Sequence, residues 1–129
     1  MFAGKKSAQI REILISESAW EEMTCLFAPS LEKTVRYLTQ TVHPRSADNI
    51  DNLNRSAEYI KEVFISSGAR VTAQDIPITG GPYKNIVANY GPADGPLIII
   101  GAHYDSASSY ENDQLTYTSG ADDNASGVA

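Results

Sequence analysis

The chain has 129 residues, 42% hydrophobic and 20% charged, with a formal net charge of −6 and a pI near 4.7. That is one domain's worth of chain at most, long enough to bury a core, and its acidic balance argues against nucleic acid or an anionic membrane as partner. Cys25 is the only cysteine, which excludes an intramolecular disulfide.

In the first eighteen residues, "MFAGKKSAQIREILISES", Arg11 and Glu12 interrupt any apolar run. We read neither a signal peptide nor a transmembrane span there, so a cytoplasmic location is expected, with secretion or a periplasmic location as the alternative. "SAWE" at Ser18 to Glu21 fits a capping box, predicting a short helix from about Ala19 to Phe27 that stops before Pro29. Within it Cys25 reads as a small buried hydrophobe beside Leu26 and Phe27. Ser30 can cap a second helix, in which Leu31, Val35 and Leu38 form an apolar stripe that fades towards Pro44. "HPRSADNIDN" then reads as a polar, proline-broken loop with His43 at the surface. Leu53, Ala57, Ile60 and Phe64 recur at helical spacing, predicting a helix over 53–67 with Asn52 as N-cap and Gly68 just past its end.

After Gly68 the period changes to two. "RVTAQDIPI" and "YKNIVANY" predict strands near 70–76 and 84–90, joined through Gly80, Gly81 and Pro82. The turn "GPADGP" leads into "LIIIGA", whose three isoleucines predict a strand at 97–102, in the same sheet and buried on both faces. Chemistry in open α/β sheets gathers at the carboxyl ends of such strands, and this one ends on His103 and Asp105.

Residues two apart in an extended chain point to the same side, so His103 and Asp105 can meet while Tyr104 faces away. The carboxylate could fix the ring's tautomer and free its other nitrogen for a metal. It could equally orient a histidine that serves a nucleophile, or simply satisfy a histidine at a strand end, and a lone H-x-D favours that last reading. The segment "TSGADDNASG" sets two consecutive aspartates between glycines, ahead of a small-residue helix start. On its own it reads as an Asx-rich surface turn. With His103 and its carboxylate partner, one inward aspartate would make a partial ligand set for zinc. Glu111 and Asp113, between the two motifs, read as part of a solvated loop.

Together "GAHYDS" and "GADDNASG", with 123 − 103 = 20 positions from His103 to Asp123, closely resemble the signature of the di-zinc aminopeptidases, metallopeptidase family twenty-eight. That family also holds glutamate carboxypeptidase-like enzymes, glutaminyl cyclases and the non-catalytic transferrin-receptor ectodomain. The resemblance extends back through "YKNIVANYG" and "NRSAEYIKEVFISSGARV" to about Leu31. It implies an α/β fold, the N-terminal part of a three-layer α/β/α sandwich around a mixed, mainly parallel sheet. Residues 31–129 would be an incomplete zinc-peptidase catalytic domain, and residues 1–30 a helical extension.

By the same resemblance His103 is a ligand of one zinc, Asp105 orients it, and Asp123 bridges two zincs through a residue whose peptide to Asn124 is cis. Asp122 has no ligand role. The complete family site carries two Zn2+ and hydrolyses N-terminal residues from a peptide substrate. Its general-base glutamate, the glutamate ligand beside it, another aspartate and a histidine would come later, and none of them follows Asp123 in these 129 residues. The expectation is therefore the amino-terminal part of a zinc aminopeptidase, or a truncated gene product, inactive by itself. The alternatives are a non-catalytic binding domain on the same scaffold and a glutaminyl cyclase-like acyltransferase.

Overall fold

The structure, a computed structural model, describes residues 30–78, 80–96 and 98–129. The helix expected at Ala19 to Phe27 and the environment expected for Cys25 lie outside the described residues. The chain divides into two compact units, Met1–Lys33 and Thr34–Ala129. Of the first, residues 30–33 are described, and they are helical.

The second unit begins in helix: residues 34–36 are α-helical and Tyr37–Thr41 close a π-helical turn, together α1. Leu38 and Val42 are fully buried here, and with Ala125 they form a small core against which Tyr37, Tyr59 and Val128 pack. The rings of Tyr37 and Tyr59 stack 4.0 Å apart, an arrangement that adds to simple area burial. Helix α2, Ile50–Ser66, buries Leu53, Ala57 and Ile60 at the predicted spacing. It starts earlier than predicted. Asn49 is the N-cap, while Asn52 lies inside the first turn and donates its side-chain N–H to the Pro44 carbonyl at 3.0 Å. Gly68 ends the helix as expected: it has φ +88° and donates to Ile65 O, while Ala69 donates to Phe64 O. This pair of bonds satisfies the last carbonyls of α2.

Strands β1 (Arg70–Ile78) and β2 (Gly81–Asn89) pair antiparallel from Arg70↔Asn89 to Ile78↔Gly81. Lys84 and Asp75 lie opposite each other and form an ion pair at 2.9 Å, a cross-strand pair that helps hold the register. Helix α2 packs chiefly on β2. A second hairpin, β3 (Ser108–Glu111) and β4 (Gln114–Tyr117), occupies the stretch expected to be a loop. Its two turn residues, Asn112 and Asp113, both have positive φ, the conformation that two-residue hairpins require and that Asn and Asp tolerate. Glu111 and Asp113 are exposed there.

The predicted strand at 97–102 is corrected by the structure. Residues 98–102 have no regular structure, and Ile98, Ile99 and Ile100 are 82–93% exposed. A strand buried on both faces needs paired neighbours at its edges and apolar layers above and below. Among the described residues nothing supplies them, so the isoleucines stand in solvent and the two ladders are both two-stranded and antiparallel. The secondary structure is thus a mixture of helices and small antiparallel sheets. No described helix is long and apolar enough to cross a membrane.

Because Leu38 sits at the centre of so small a core, Leu38→Ala should cost about 2–5 kcal/mol. Urea denaturation followed by circular dichroism measures this; a loss below about 1 kcal/mol would contradict the packing described.

Candidate metal centre

Three chain segments meet at the candidate site. The first is the loop 43–49, which the sequence suggests is a solvated connector. Instead Arg45 is fully buried and Ser46 nearly so. His43, expected at the surface, is only partly exposed, and its Nδ1 is buried with no hydrogen-bond partner among the described residues. A short polar stretch between helices looks solvated in sequence because nothing local shows what will cover it.

Arg45 organises the other two segments. Its Nε–H donates to Tyr104 O at 2.7 Å, Nη1 to Ser119 O at 3.1 Å and Nη2 to Gly120 O at 3.1 Å. Nη1 also donates to Leu38 O, in the last turn of α1, where helix carbonyls lack intrahelical partners. The main chain adds two bonds: Ser106 N to Arg45 O at 2.8 Å and Arg45 N to Ser106 Oγ at 3.2 Å. Burial pulls the guanidinium below its ordinary pKa, and the Asp105 carboxylate opposes that shift.

In the second segment, 98–107, the extended chain sends alternate side chains to opposite sides. Tyr104 turns inward and donates its hydroxyl to Lys84 O on β2 at 2.7 Å; burial pushes this phenol's pKa up. His103 and Asp105 meet on the other side, with Nδ1 of the ring 3.0 Å from Asp105 Oδ1. The β3–β4 hairpin then leaves and returns. Thr118 N donates to Ala107 O at 3.1 Å, which closes the hairpin's base and brings Ser119 and Gly120 beside Ser106.

The third segment is the π-helical turn Ala121–Ala125, which leads into a last short helix α3, Ser126–Val128. Gly120 has φ +61°, and a Cβ there would come within 2.6 Å of Arg45 Nη2 and 2.7 Å of Ser106 Cβ. Both the left-handed backbone and the close approach exclude a larger residue. Asp123 leaves the helical path at φ −122°, ψ 88°, and its Oδ1 reaches Nε2 of His103 at 2.8 Å. The Asp123–Asn124 peptide is cis. Asn124 Oδ1 accepts the N–H of Gly127 at 3.1 Å, within α3.

The imidazole of His103 therefore lies between two carboxylates. Its pKa is raised, first by its hydrogen bond to Asp105; burial opposes the shift, and the hydrogen bond to Asp123 raises it further. The site is open: the His103 side chain is 53% exposed and that of Asp123 80%. Asp123, rather than Asp122, is the aspartate that faces the histidine.

His103 thus has a carboxylate oxygen against each of its two ring nitrogens. One ring nitrogen is held by a carboxylate, which orients the imidazole, and the other faces a carboxylate oxygen. Among the described residues, no group of three or more His, Cys, Asp or Glu side chains is gathered that could hold an ion. Sequence reasoning missed Arg45 and Ser106, since an arginine in "HPRS" carries no pattern that distinguishes a buried anchor from a solvated charge.

Residues 85–129, in the carboxyl-terminal part of the chain, match the model of Peptidase family M28. A curated protein of Escherichia coli (strain K12), "Uncharacterized protein YfbL", is 95% identical over 99 residues, which are 77% of this chain and 31% of that protein. The chain thus spans about a third of the length of the curated relative it matches. No solved structure matches it.

The raised pKa of His103 has a pH consequence. The charged ring donates to both carboxylates, so these bonds stabilise the folded chain fully below the ordinary histidine value of about 6.5 and are lost as pH rises through the raised folded value. Asp105→Asn should lower the His103 pKa in the metal-free chain. An NMR titration of the ring Hε1 reads this, and an unchanged midpoint would show that Asp105 does not hold the ring.

Proposed function

We propose that this chain is part of a zinc-dependent aminopeptidase and carries the His103–Asp123 portion of its two-metal site. The observation that carries the reading is the placement of Asp123 against one nitrogen of His103 while Asp105 holds the other, within the stretch that matches the peptidase family. In this reading His103 would bind through Nε2 and Asp123 through its carboxylate, as the ligand that bridges two ions. Asp105 keeps the proton on Nδ1, so that Nε2 presents its lone pair.

Bound zinc would supply Lewis acidity and an activated water at neutral pH. Asp105 and Asp123 place negative charge on both sides of the imidazole, favouring a cation at that point. The substrate would be a peptide with a free amino terminus. The fold that completes the site would be the three-layer α/β/α sandwich with a mainly parallel sheet, in which Ile98 to Ile100 gain the neighbours they lack among the described residues.

A general-base glutamate is the other requirement, and positioned acid–base groups contribute about 10²–10⁴-fold in rate. No residue of this chain stands near His103 in that role among the described contacts. The chain alone is therefore expected to be inactive, and the assay is a comparison. The purified chain with zinc is set beside a chimera in which it replaces the matching stretch of YfbL, with aminoacyl-p-nitroanilides as substrates. Turnover is expected from the chimera only, and His103→Ala or Asp123→Ala in the chimera should reduce it at least 10²-fold. Zinc-dependent turnover by the 129-residue chain itself, or a chimera indifferent to both substitutions, would refute the proposal.

A further inference from the structure

The two halves of the candidate site come from segments of different kinds. The His103–Asp105 contact spans two residues and is satisfied within one extended stretch. The His103–Asp123 contact spans twenty residues and crosses the β3–β4 hairpin, whose base is closed at Ala107 and Thr118. An exposed two-stranded hairpin is a weak spacer, marginally stable by itself. Something firmer must set the distance between the segments on either side of it.

Arg45 stands at that junction. Its planar guanidinium donates to Tyr104 O on one segment and to Ser119 O and Gly120 O on the other. Tyr104 lies directly between His103 and Asp105, and Gly120 is the residue from which the turn carrying Asp123 departs. The same group is tied to the Leu38 carbonyl of α1, and its own main chain is paired with Ser106. Gly120 packs so closely here that a Cβ on it would lie 2.6 Å from Nη2 and 2.7 Å from Ser106 Cβ.

We propose that Arg45 is a positioning residue that locks the segments bearing His103 and Asp123 into one register, and so preassembles the pair for a metal ion. Its hydrogen bonds go to main-chain carbonyls and to Ser106, not to either side chain of the pair. A rigid fork of N–H groups can hold several carbonyls at fixed angles, which the single ammonium of a lysine cannot do. The consequence for metal affinity rests on the function proposed above, whereas the registering itself does not.

The test separates the two. In the full 129-residue chain labelled with 15N-histidine, the ring nitrogen shifts of His103 are compared in the unaltered protein, Arg45→Met and Arg45→Lys at one pH. Loss of the Nε2 signature of the Asp123 bond, with the Nδ1 signature of the local Asp105 bond retained, is expected in Arg45→Met, and a partial loss in Arg45→Lys. A purely structural role would leave both signatures or remove both. Retention of the Nε2 signature in both variants would overturn the proposal. If Arg45→Met fails to fold, Arg45→Lys decides, with an unchanged Nε2 signature the contrary result.

Cobalt(II) titration of the same proteins, read by the visible absorption of the ion, is the second arm. Positioning partners of metal ligands typically change affinity 10–100-fold, so Arg45→Lys should weaken binding by that order and the asparagine variant of the ligand, Asp123→Asn, by more. Equal affinity in the unaltered chain and Arg45→Lys would contradict preassembly. Binding that His103→Ala does not affect would count against the metal reading itself, while the nitrogen shifts still decide the role of Arg45.

Discussion

A buried arginine that answers to main-chain carbonyls is the constraint on which the described fold turns. Removing a guanidinium from water is costly unless its donors are met. Here Nε, Nη1 and Nη2 of Arg45 are met by Tyr104, Ser119, Gly120 and Leu38. Hydrogen bonds to a charged group contribute about 1.5–3 kcal/mol each, which is why the group can be fully buried beside the small apolar cluster of Leu38, Val42 and Ala125. The carbonyls belong to irregular chain and to a helix end, places where no ladder or helix would otherwise satisfy them. The arginine therefore does for this junction what a sheet does elsewhere.

Around that junction the motif residues acquire separate physical reasons. Gly120 is required because Arg45 and Ser106 leave no space for a side chain. Asp123 turns away from the helical path and meets His103. Asn124 accepts the Gly127 amide of the helix that follows. Ser106 pairs with the main chain of Arg45 from both its amide and its hydroxyl. "GAHYDS" and "GADDNASG" thus combine side chains that meet at the His103 ring with others that fix the backbone beneath them. The electrostatics agree: the carboxylates of Asp105 and Asp123 flank the histidine ring and favour positive charge on it.

The sequence was most legible where a repeating period or a steric demand acts locally. The stripe of Leu53, Ala57 and Ile60 gave α2, and Gly68 gave its end, because both signals reside within a few residues. The alternation through "RVTAQDIPI" and "YKNIVANY" gave the first hairpin for the same reason. The pairing of His103 with Asp105 followed from their spacing alone. What escaped was set by distant partners. The isoleucines of 98–100 have strand composition, yet pairing depends on neighbours that their own residues do not encode. The second hairpin was hidden because its strands are four residues long and mostly polar, leaving only the Asn112–Asp113 turn as a signal. Arg45 was hidden because its role is defined by carbonyls at positions 104, 119 and 120, far along the chain.

The central claim of the proposed function is that His103 and Asp123 would together hold a metal ion, and anomalous diffraction at the zinc edge tests it most directly. Crystals of the chimera that places this chain in the length of YfbL, grown with zinc, should show a peak about 2.0–2.2 Å from both His103 Nε2 and an Asp123 oxygen. Asp105 should remain on Nδ1, off the ion. A zinc peak away from His103, or one that Asp122 approaches in place of Asp123, would contradict the account.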